Sequence, residues 1–256
     1  MAKIIAIANQ KGGVGKTTTA INLSAALAIN DQRVLLIDLD PQGNATMGCG
    51  VDKHTLVHTT NDVLLHDCFA EQACLVTRGG FDVMPTNEDL TVAEVSLMDR
   101  DHRETFLFKA LQPIQSRYDY IFIDCPPALN TLTLNALVAA DSVLVPMQCE
   151  YYALEGLAAL LSTISQIKAS INPRLQLEGV LRTMYDARSR LCTDVSAQLL
   201  EHFHDHVYRT VIRRNVRLAE APSHGLSALQ YAKSSSGATA YRLLATELLN
   251  KQTVTA

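Results

Sequence analysis

No apolar run in this 256-residue chain approaches the roughly 20 residues that a membrane-spanning helix requires. Charged side chains are also scarce, at 19%, whereas hydrophobic residues reach 48%. A chain with this balance is not intrinsically disordered, and it can bury a large core. We therefore expect a folded protein without a membrane span.

Closely spaced cysteine pairs are absent as well. The six cysteines are scattered at positions 49, 68, 74, 125, 149 and 192, and no two of them form a C-x-x-C motif. This spacing gives little support to a zinc site or a disulfide framework, so we expect free thiols in a reducing compartment. Residues 1–3 lead directly into an apolar run, without the features of a signal peptide, and we expect a cytoplasmic protein.

Positive charge is scarce overall but locally concentrated. The formal net charge is −4, which argues against a generally basic DNA-binding protein. Residues 182–217, however, contain seven arginines, no lysine and only four acidic residues. Arginine binds phosphate oxygens with a planar pair of donors. The segment is therefore a candidate phosphate-binding surface in an otherwise acidic chain.

Short apolar runs alternate with helical patterns along the chain, with no long linker and no repeat. The strand-like runs lie at 3–8, 33–38, 119–124, 142–147 and 176–184. The helical patterns lie at 17–30, 88–99, 104–117, 130–140, 153–170, 191–204 and 237–250. This alternation predicts one α/β domain over residues 1–256, a doubly wound, mostly parallel sheet flanked by helices. Ligands bind such sheets at the carboxyl ends of the strands, and unusual residues follow three predicted strands, at 9–17, 38–44 and 124–127.

The first of these loops has the composition of a phosphate-binding loop. Residues 9–19 read Asn-Gln-Lys-Gly-Gly-Val-Gly-Lys-Thr-Thr-Thr, in which the glycines let backbone N–H groups converge on phosphate oxygens. Lys16 is the predicted catalytic lysine on the β and γ phosphates, and the Thr17 hydroxyl is a predicted ligand of Mg²⁺. The predicted nucleotide-binding residues of the loop are Lys11, Gly12, Gly13, Val14, Gly15, Lys16, Thr17 and Thr18.

This loop departs from the general pattern at its start. The full G-x-x-x-x-G-K-[ST] motif needs a glycine at position 10, where this chain has Gln10, and a second lysine follows at position 11. Lys11 is remote from the start of the helix, and it can reach the phosphates of a neighbouring subunit. We therefore expect the protein to bind a nucleotide and to dimerise over it.

Acidic residues follow the second and third of these strands. Asp38 and Asp40 stand two residues apart on an extended chain, so both are predicted to point toward the mouth of the strand. One can order the water shell of Mg²⁺ while the other positions the attacking water; Asp40 alone could instead cap a helix before Pro41. The run Tyr120–Asp124 has the form of a Walker B strand, whose aspartate holds Mg²⁺ through water. The predicted metal residues are Thr17, Asp38 and Asp124.

Four blocks together resemble the deviant Walker ATPases, and within them the ParA/Soj chromosome-partitioning family. They are Lys-Gly-Gly-Val-Gly-Lys-Thr-Thr at 11–18, Asp-Leu-Asp-Pro-Gln-Gly-Asn at 38–44, Ile-Asp-Cys-Pro-Pro at 123–127 and Arg-Asn-Val-Arg-Leu-Ala-Glu-Ala-Pro-Ser-His-Gly at 214–225. The resemblance spans nearly the whole chain. It implies a P-loop NTPase fold and a Mg²⁺-dependent ATPase that hydrolyses ATP to ADP and phosphate.

The resemblance also implies roles for particular residues and partners. Lys11 would reach the phosphates of a second subunit in a homodimer, and Asp40 would orient the attacking water. Pro126-Pro127 would sense the γ-phosphate. The ATP-bound dimer would bind double-stranded DNA non-specifically on the nucleoid, and a ParB/Spo0J-like partner would accelerate hydrolysis, moving a chromosome or a plasmid. The residues expected at the adenine are Met184, Arg214 and Asn215.

One position departs from the family pattern. Relatives commonly have Pro-Arg-Asn where this chain has Arg213-Arg214-Asn215, so the replacement lies beside the expected base contacts and adds a cation to the expected DNA face. The DNA-binding candidates are Arg188, Arg190 and Arg217, followed by Arg182, Arg213 and Lys233. The alternative for each of them is a surface side chain that contacts only solvent.

Three other functions are compatible with the same loops. A MinD-like, membrane-recruited cell-division ATPase needs a basic amphipathic anchor, whereas residues 247–256 contain a single lysine. An iron–sulfur reductase needs paired cysteines at a dimer seam, and Cys125 and Cys149 lie in no such motif. A small-molecule kinase or ligase needs an acceptor pocket, for which no block is visible.

Overall fold

The computed structural model describes residues 1–255, with side chains through residue 251. Within this part of the chain, all the strands belong to one sheet of eight. They are β1 (Lys3–Ile7), β2 (Val34–Asp38), β3 (Leu75–Val76), β4 (Asp82–Met84), β5 (Tyr120–Asp124), β6 (Ser142–Gln148), β7 (Gln176–Tyr185) and β8 (Val207–Arg213). Their order across the sheet is β3-β4-β2-β5-β1-β6-β7-β8. Only β3 runs antiparallel to its neighbour.

Helices cover both faces of the sheet. They are α1 (Lys16–Ile29), α2 (Asn44–Gly48), α3 (Thr60–Leu65), α4 (Ala70–Ala73), α5 (Leu90–Met98), α6 (Phe106–Leu111), α7 (Thr131–Ala139), α8 (Ala153–Ser170), α9 (Arg190–Phe203), α10 (Val216–Glu220), α11 (Ala228–Tyr231) and α12 (Ser236–Thr255). Short 3₁₀ turns cover Arg103–Thr105, Gln115–Arg117, His204–His206 and Ala221–His224. Among the residues described, no helix has the length and apolar character needed to cross a bilayer.

The central strands are apolar throughout because both of their faces are buried. Successive residues of a strand point to opposite faces. Ile4 therefore packs in the cluster that includes α5 to α9, and Ile5 packs in the other, with α1 and α12. Ile121 and Phe122 on β5 divide in the same way. The predicted doubly wound, mostly parallel sheet is confirmed.

The sequence predicted five of the eight strands. The two missed at one end of the sheet, β3 and β4, have only two and three residues, too few for a periodic pattern. The missed edge strand β8 contains exposed and half-buried positions, so it lacks a continuous apolar run. The helix predicted at 104–117 is divided, since α6 ends at Leu111, just before Pro113, which cannot continue it.

The sheet brings the predicted ligand loops together. Strands β2, β5 and β1 are neighbours, and Asp124 on β5 pairs in register with both Asp38 on β2 and Ile7 on β1. All three strands are parallel, so their carboxyl ends lie at one edge. The loops at 9–17, 38–44 and 124–127 therefore meet above the middle of the sheet.

Candidate nucleotide-binding site

The phosphate loop connects β1 to the first residue of α1, Lys16. Gly13 and Gly15 have φ values of +72° and +89°, which side chains with a Cβ adopt only under strain. The Thr183 hydroxyl donates a 2.7 Å hydrogen bond to the carbonyl of Val14 and so ties the loop to β7. The loop is thus fixed in a curled form at the amino end of a 14-residue helix, where backbone N–H groups and the helix dipole favour an anion.

Lys16 is almost completely buried at the base of this loop. Its Nζ donates to the carbonyl of Lys11 at 3.3 Å. Burial lowers the pKa of Lys16, while the nearby charges of Asp124, the Cys125 thiol and Asp40 raise it. The loop therefore presents a desolvated cation whose attraction to a phosphate is strong because little water screens it.

Asp124 ends β5 as a fully buried carboxyl group. Within the described chain, neither of its oxygens accepts a hydrogen bond of normal geometry. Burial and the nearby Asp38 raise its pKa well above the usual range, and the Thr17 hydroxyl and Lys16 act in the opposite direction. A buried carboxyl group without such bonds is costly unless a cation or water completes it. The arrangement fits a hydrated Mg²⁺ held between Asp124 and Thr17.

Asp38 ends β2 and is also fully buried, but its hydrogen bonds are well formed. Its Oδ2 accepts bonds of 2.7 Å from both the backbone N–H and the hydroxyl of Thr46, and its Oδ1 accepts a 3.3 Å bond from the Asp40 N–H. Burial raises its pKa to about 6 despite these bonds, which lower it. The Thr46 hydroxyl in turn accepts the Thr86 N–H at 2.9 Å. Asp38 therefore anchors the loop between β2 and α2.

Asp40 lies within that anchored loop and is only half-buried. Its Oδ1 accepts the Gln42 N–H at 3.0 Å, so it stabilises a turn. The residue that precedes α2 is Gly43, whose N–H donates to the Asp40 carbonyl at 2.8 Å. The carboxylate acts electrostatically on Lys16, Asp38 and Asp124, and so lies near these three side chains.

Lys11 is the exposed cation of the phosphate loop. Its N–H donates to Asn9 Oδ1 at 3.0 Å, and Asn9 Nδ2 donates to the Pro146 carbonyl at 2.8 Å. These bonds fasten the start of the loop to β6. The Lys11 ammonium group pairs with Glu150, which follows β6 on the same chain.

A cleft of about 420 Å³ adjoins the phosphate loop. The three residues expected at the adenine, Met184, Arg214 and Asn215, all line it together with Gly15 and Thr18. Asn215 begins α10, with its Oδ1 accepting the Arg217 N–H and its Nδ2 donating to the Ser236 hydroxyl at 2.7 Å.

Sequence reasoning missed the apolar wall of this cleft. It is formed by Ile212, Leu218 and Tyr241. The Tyr241 hydroxyl shares a 3.1 Å hydrogen bond with Thr19 on α1. Apolar residues on α12 and β8 are typical of any core, so the sequence gave no signal that they border a ligand cleft.

Five of the six DNA-binding candidates are exposed: Arg188, Arg190, Arg213, Arg217 and Lys233. Arg188, Arg190 and Arg213 lie near the carboxyl ends of β7 and β8, at the same edge of the sheet as the phosphate loop. Three of the arginines already face an acid. Arg188 pairs with Asp186, Arg190 with Asp194 and Arg217 with Glu220.

The structure corrects the prediction that Arg182 binds DNA. It lies on β7 with 7% exposure, and it donates to the Ser196 hydroxyl at 2.9 Å and to the Tyr208 carbonyl at 3.0 Å. Its position inside the strand points the guanidinium group between β8 and α9, where DNA cannot reach it. It is a structural residue.

The cysteines behave as expected. All six lie in the described part of the chain, and all six are free thiols. Burial raises the pKa of both Cys125 and Cys149.

Comparison with known proteins decides the family. The AAA domain family matches residues 2–177. The sporulation initiation inhibitor protein Soj of Bacillus subtilis is 50% identical over 249 residues, covering 97% of this chain and 98% of the relative. The chain belongs to the ParA/Soj family of chromosome-partitioning ATPases.

Two further comparisons place this ParA/Soj-family ATPase among its relatives. An uncharacterized protein of Pseudomonas putida is 61% identical over 98% of the chain and 96% of the relative. A crystal structure of cobyrinic acid a,c-diamide synthase from Mycobacterium smegmatis, with bound ATP analog and magnesium, superimposes with a TM-score of 0.88 at 39% identity. It covers 100% of this chain and 98% of that one, and it confirms the P-loop fold.

Proposed function

We propose that this ParA/Soj-family ATPase binds MgATP, dimerises over the nucleotide and binds double-stranded DNA non-specifically as the dimer. A ParB/Spo0J-like partner then stimulates hydrolysis, and the dimer releases DNA on the nucleoid, moving a chromosome or a plasmid. The observation that carries the proposal is the buried Asp124 carboxyl group, without well-formed hydrogen bonds, next to Thr17 and Lys16. A chain that needed no cation there would have replaced or paired this carboxyl group.

The role proposed for each residue of the site in nucleotide binding follows from its position around the phosphate loop. The curled backbone from Gly12 to Gly15 and the start of α1 bind the phosphates. Thr17 and Asp124 would hold Mg²⁺, with Asp38 behind them fixing the loop. When bound, Mg²⁺ supplies neutralising charge to the phosphate oxygens. The cleft beside Met184 holds the base between its apolar wall and Asn215.

Asp40 and Lys16 are the proposed catalytic residues within one chain. Lys16 stabilises negative charge that develops on the phosphate, because it is desolvated and rigidly held. Asp40 orients the attacking water, since its carboxylate lies near Lys16 and Asp124 on a loop that Asp38 anchors. Lys11, exposed at the edge of the loop, contributes to the site of a second subunit.

DNA binding depends on dimerisation in this proposal. One chain presents five exposed candidate residues, three of which are partly neutralised by Asp186, Asp194 and Glu220. A dimer doubles the number of cations on one surface, and DNA affinity rises steeply with the number of phosphates contacted. ATP can therefore switch DNA binding on without any new contact within the monomer.

Three single variants test the assignment. Lys16→Ala should lose nucleotide binding, because the phosphates lose their buried cation. Asp40→Ala should bind ATP and form a stable dimer without turnover, and Lys11→Ala should bind ATP but stay monomeric. Equilibrium nucleotide binding, light scattering after size exclusion and phosphate release measure the three properties. Normal hydrolysis by Asp40→Ala, or a normal ATP-dependent dimer of Lys11→Ala, would refute the role given to that residue.

DNA binding is tested with the same proteins. The wild-type protein should bind a DNA duplex of arbitrary sequence only when ATP is present, and its affinity should fall steeply as the salt concentration rises. Equal binding by nucleotide-free protein would contradict the proposal. ATP hydrolysis stimulated by DNA and the partner protein, in the absence of any small-molecule acceptor, distinguishes this function from that of a ligase with the same fold.

A further inference from the structure

The ion pair between Lys11 and Glu150 joins two segments that the proposed function must separate. Glu150 lies in the turn between β6 and α8, where its N–H donates to the Gln148 carbonyl and its carbonyl accepts the Ala153 N–H at 3.0 Å. Both partners are thus fastened to the end of β6, Lys11 through Asn9 and Pro146 and Glu150 through its turn. The pair forms within a single chain.

The surroundings of the pair suit a contact that opens. The side chains of Lys11 and Glu150 are 47% and 43% exposed. Glu150 can therefore be hydrated by solvent when Lys11 leaves, and no buried charge is left without a partner. The two residues also line a cavity of about 490 Å³, which Asp186 and Arg214 line as well.

The residues that follow Glu150 are also unusual. Tyr151 and Tyr152 are 75% and 72% exposed, and their rings meet edge to face with centroids 4.9 Å apart. This exposure shows that neither ring belongs to the core. The segment that restrains Lys11 thus continues directly into exposed aromatic surface on the same side of the cavity.

We propose that Glu150 is a positioning residue that holds Lys11 on its own chain and competes for it with the nucleotide phosphate of a second subunit. This inference rests on the proposed function, because it assumes that Lys11 acts across the dimer. A carboxylate and a phosphate both bind the same ammonium group, and Lys11 cannot satisfy both. Each chain must therefore break one Lys11–Glu150 pair when the dimer closes over ATP.

The expected effect follows from the exposure of the pair. An exposed ion pair shifts an equilibrium by about 1.4- to 5-fold, and two such pairs break for each dimer formed. Removing the competition should therefore strengthen ATP-dependent dimerisation by about 2- to 30-fold. Because solvent ions screen exposed charges, the gain should shrink as salt rises.

The test compares Glu150→Gln with Glu155→Gln, a matched control on the first turn of α8 whose side chain is also exposed. Sedimentation velocity measures the dimer dissociation constant with a non-hydrolysable ATP analogue at low and high salt. Glu150→Gln should dimerise about 2- to 30-fold more tightly at low salt. Glu155→Gln should match wild type, and ADP affinity should stay within about twofold for both.

Two arms keep this inference separate from the proposed function. If wild type does not dimerise with the analogue, the proposed function fails. If wild type dimerises and Glu150→Gln is unchanged or weaker, the inference alone is overturned. The double variant Lys11→Ala/Glu150→Gln should show no gain over Lys11→Ala, because the gain passes through Lys11. A gain in that double variant would mean that Glu150 acts elsewhere, and it would also overturn the inference.

Discussion

The hydroxyl of Thr46 on α2, the helix that follows the Asp40 loop, links the end of β2 to the backbone of Thr86, and its removal gives the sharpest test of the site. Thr46 is fully buried. It donates to Asp38 Oδ2 at 2.7 Å and accepts the Thr86 N–H at 2.9 Å. The substitution Thr46→Val keeps the β-branched shape and removes both hydrogen bonds at once. The backbone bond from Thr46 to Asp38 remains.

The magnitude can be worked from these two bonds. A hydrogen bond to a charged group contributes about 1.5–3 kcal/mol, and a buried N–H left without an acceptor costs about 1–3 kcal/mol. Thr46→Val should therefore lower the free energy of unfolding by about 2.5–6 kcal/mol. For a chain of this length that corresponds to a fall in Tm of about 5–24 °C. Thr46→Ser retains the hydroxyl and loses one methyl group, so about 1 kcal/mol is expected.

The loss should also depend on pH. The folded-state pKa of Asp38 is about 6, above its ordinary value of 3.8, so its protonated form stabilises the folded state. That contribution is fully present below pH 3.8 and is lost as the pH rises through 6. The Thr46 hydroxyl bond favours the carboxylate, so its removal raises the pKa of Asp38 further. The deficit of Thr46→Val should consequently be larger at pH 7.5 than at pH 5.

Urea denaturation of both variants at pH 5 and pH 7.5, without nucleotide, measures the stability difference. Phosphate release with MgATP measures the second consequence, because a displaced loop should slow turnover through Asp40 more than it weakens nucleotide binding. Equal stability of Thr46→Val and Thr46→Ser would refute the argument from the hydroxyl. A loss of stability that is the same at pH 5 and pH 7.5 would refute the electrostatic effect assigned to the Thr46 hydroxyl.

Two further perturbations separate structural from functional residues. Arg182→Met should destabilise the fold by about 2–4 kcal/mol through its lost buried hydrogen bonds. It should leave the salt dependence of DNA binding unchanged at equal folded fraction, whereas Arg188→Gln should reduce that slope by about 1. Gly225→Ala should lower the free energy of unfolding by at least about 1–3 kcal/mol, because Gly225 has φ +63° and its Cβ would lie 2.5 Å from the Gly50 Cα. Gly156→Ala on α8, with no atom within 4 Å of its Cβ, should be neutral or stabilising by about 0.5–1 kcal/mol. Urea denaturation of the glycine pair and salt titration of duplex binding for the arginine pair check these values.

The part of the site that the sequence predicted is the part fixed by short-range chemistry. Glycines at 13 and 15 are needed where φ is positive, and the following Lys16 and Thr17 stand at a helix start, so the loop can be read without knowing the fold. Asp38 and Asp124 were predictable because each ends an apolar run. Parallel pairing of β2, β5 and β1 then brings them together.

The remaining part depends on contacts between residues distant in the chain, which local patterns do not contain. Tyr241 on α12 borders the cleft beside the phosphate loop only because α12 packs against α1. Arg182 belongs by sequence to an arginine-rich segment, yet its place in the middle of β7 buries it. The Lys11–Glu150 pair joins residues 139 positions apart.

Burial at the carboxyl ends of β2 and β5 explains how nucleotide binding can alter the whole loop arrangement. Asp38 and Asp124 are both fully buried, Asp38 raises the pKa of Asp124, and the nearby Lys16 is itself desolvated. Burial of these two neighbouring carboxylates therefore lowers the free energy of unfolding at neutral pH. The hydrogen bonds from Thr46 offset this cost for Asp38 only. A cation at Asp124 would relieve the other carboxyl group without any change in packing. A cation bound at Asp124 would therefore restore part of the stability that burial of these two acids costs.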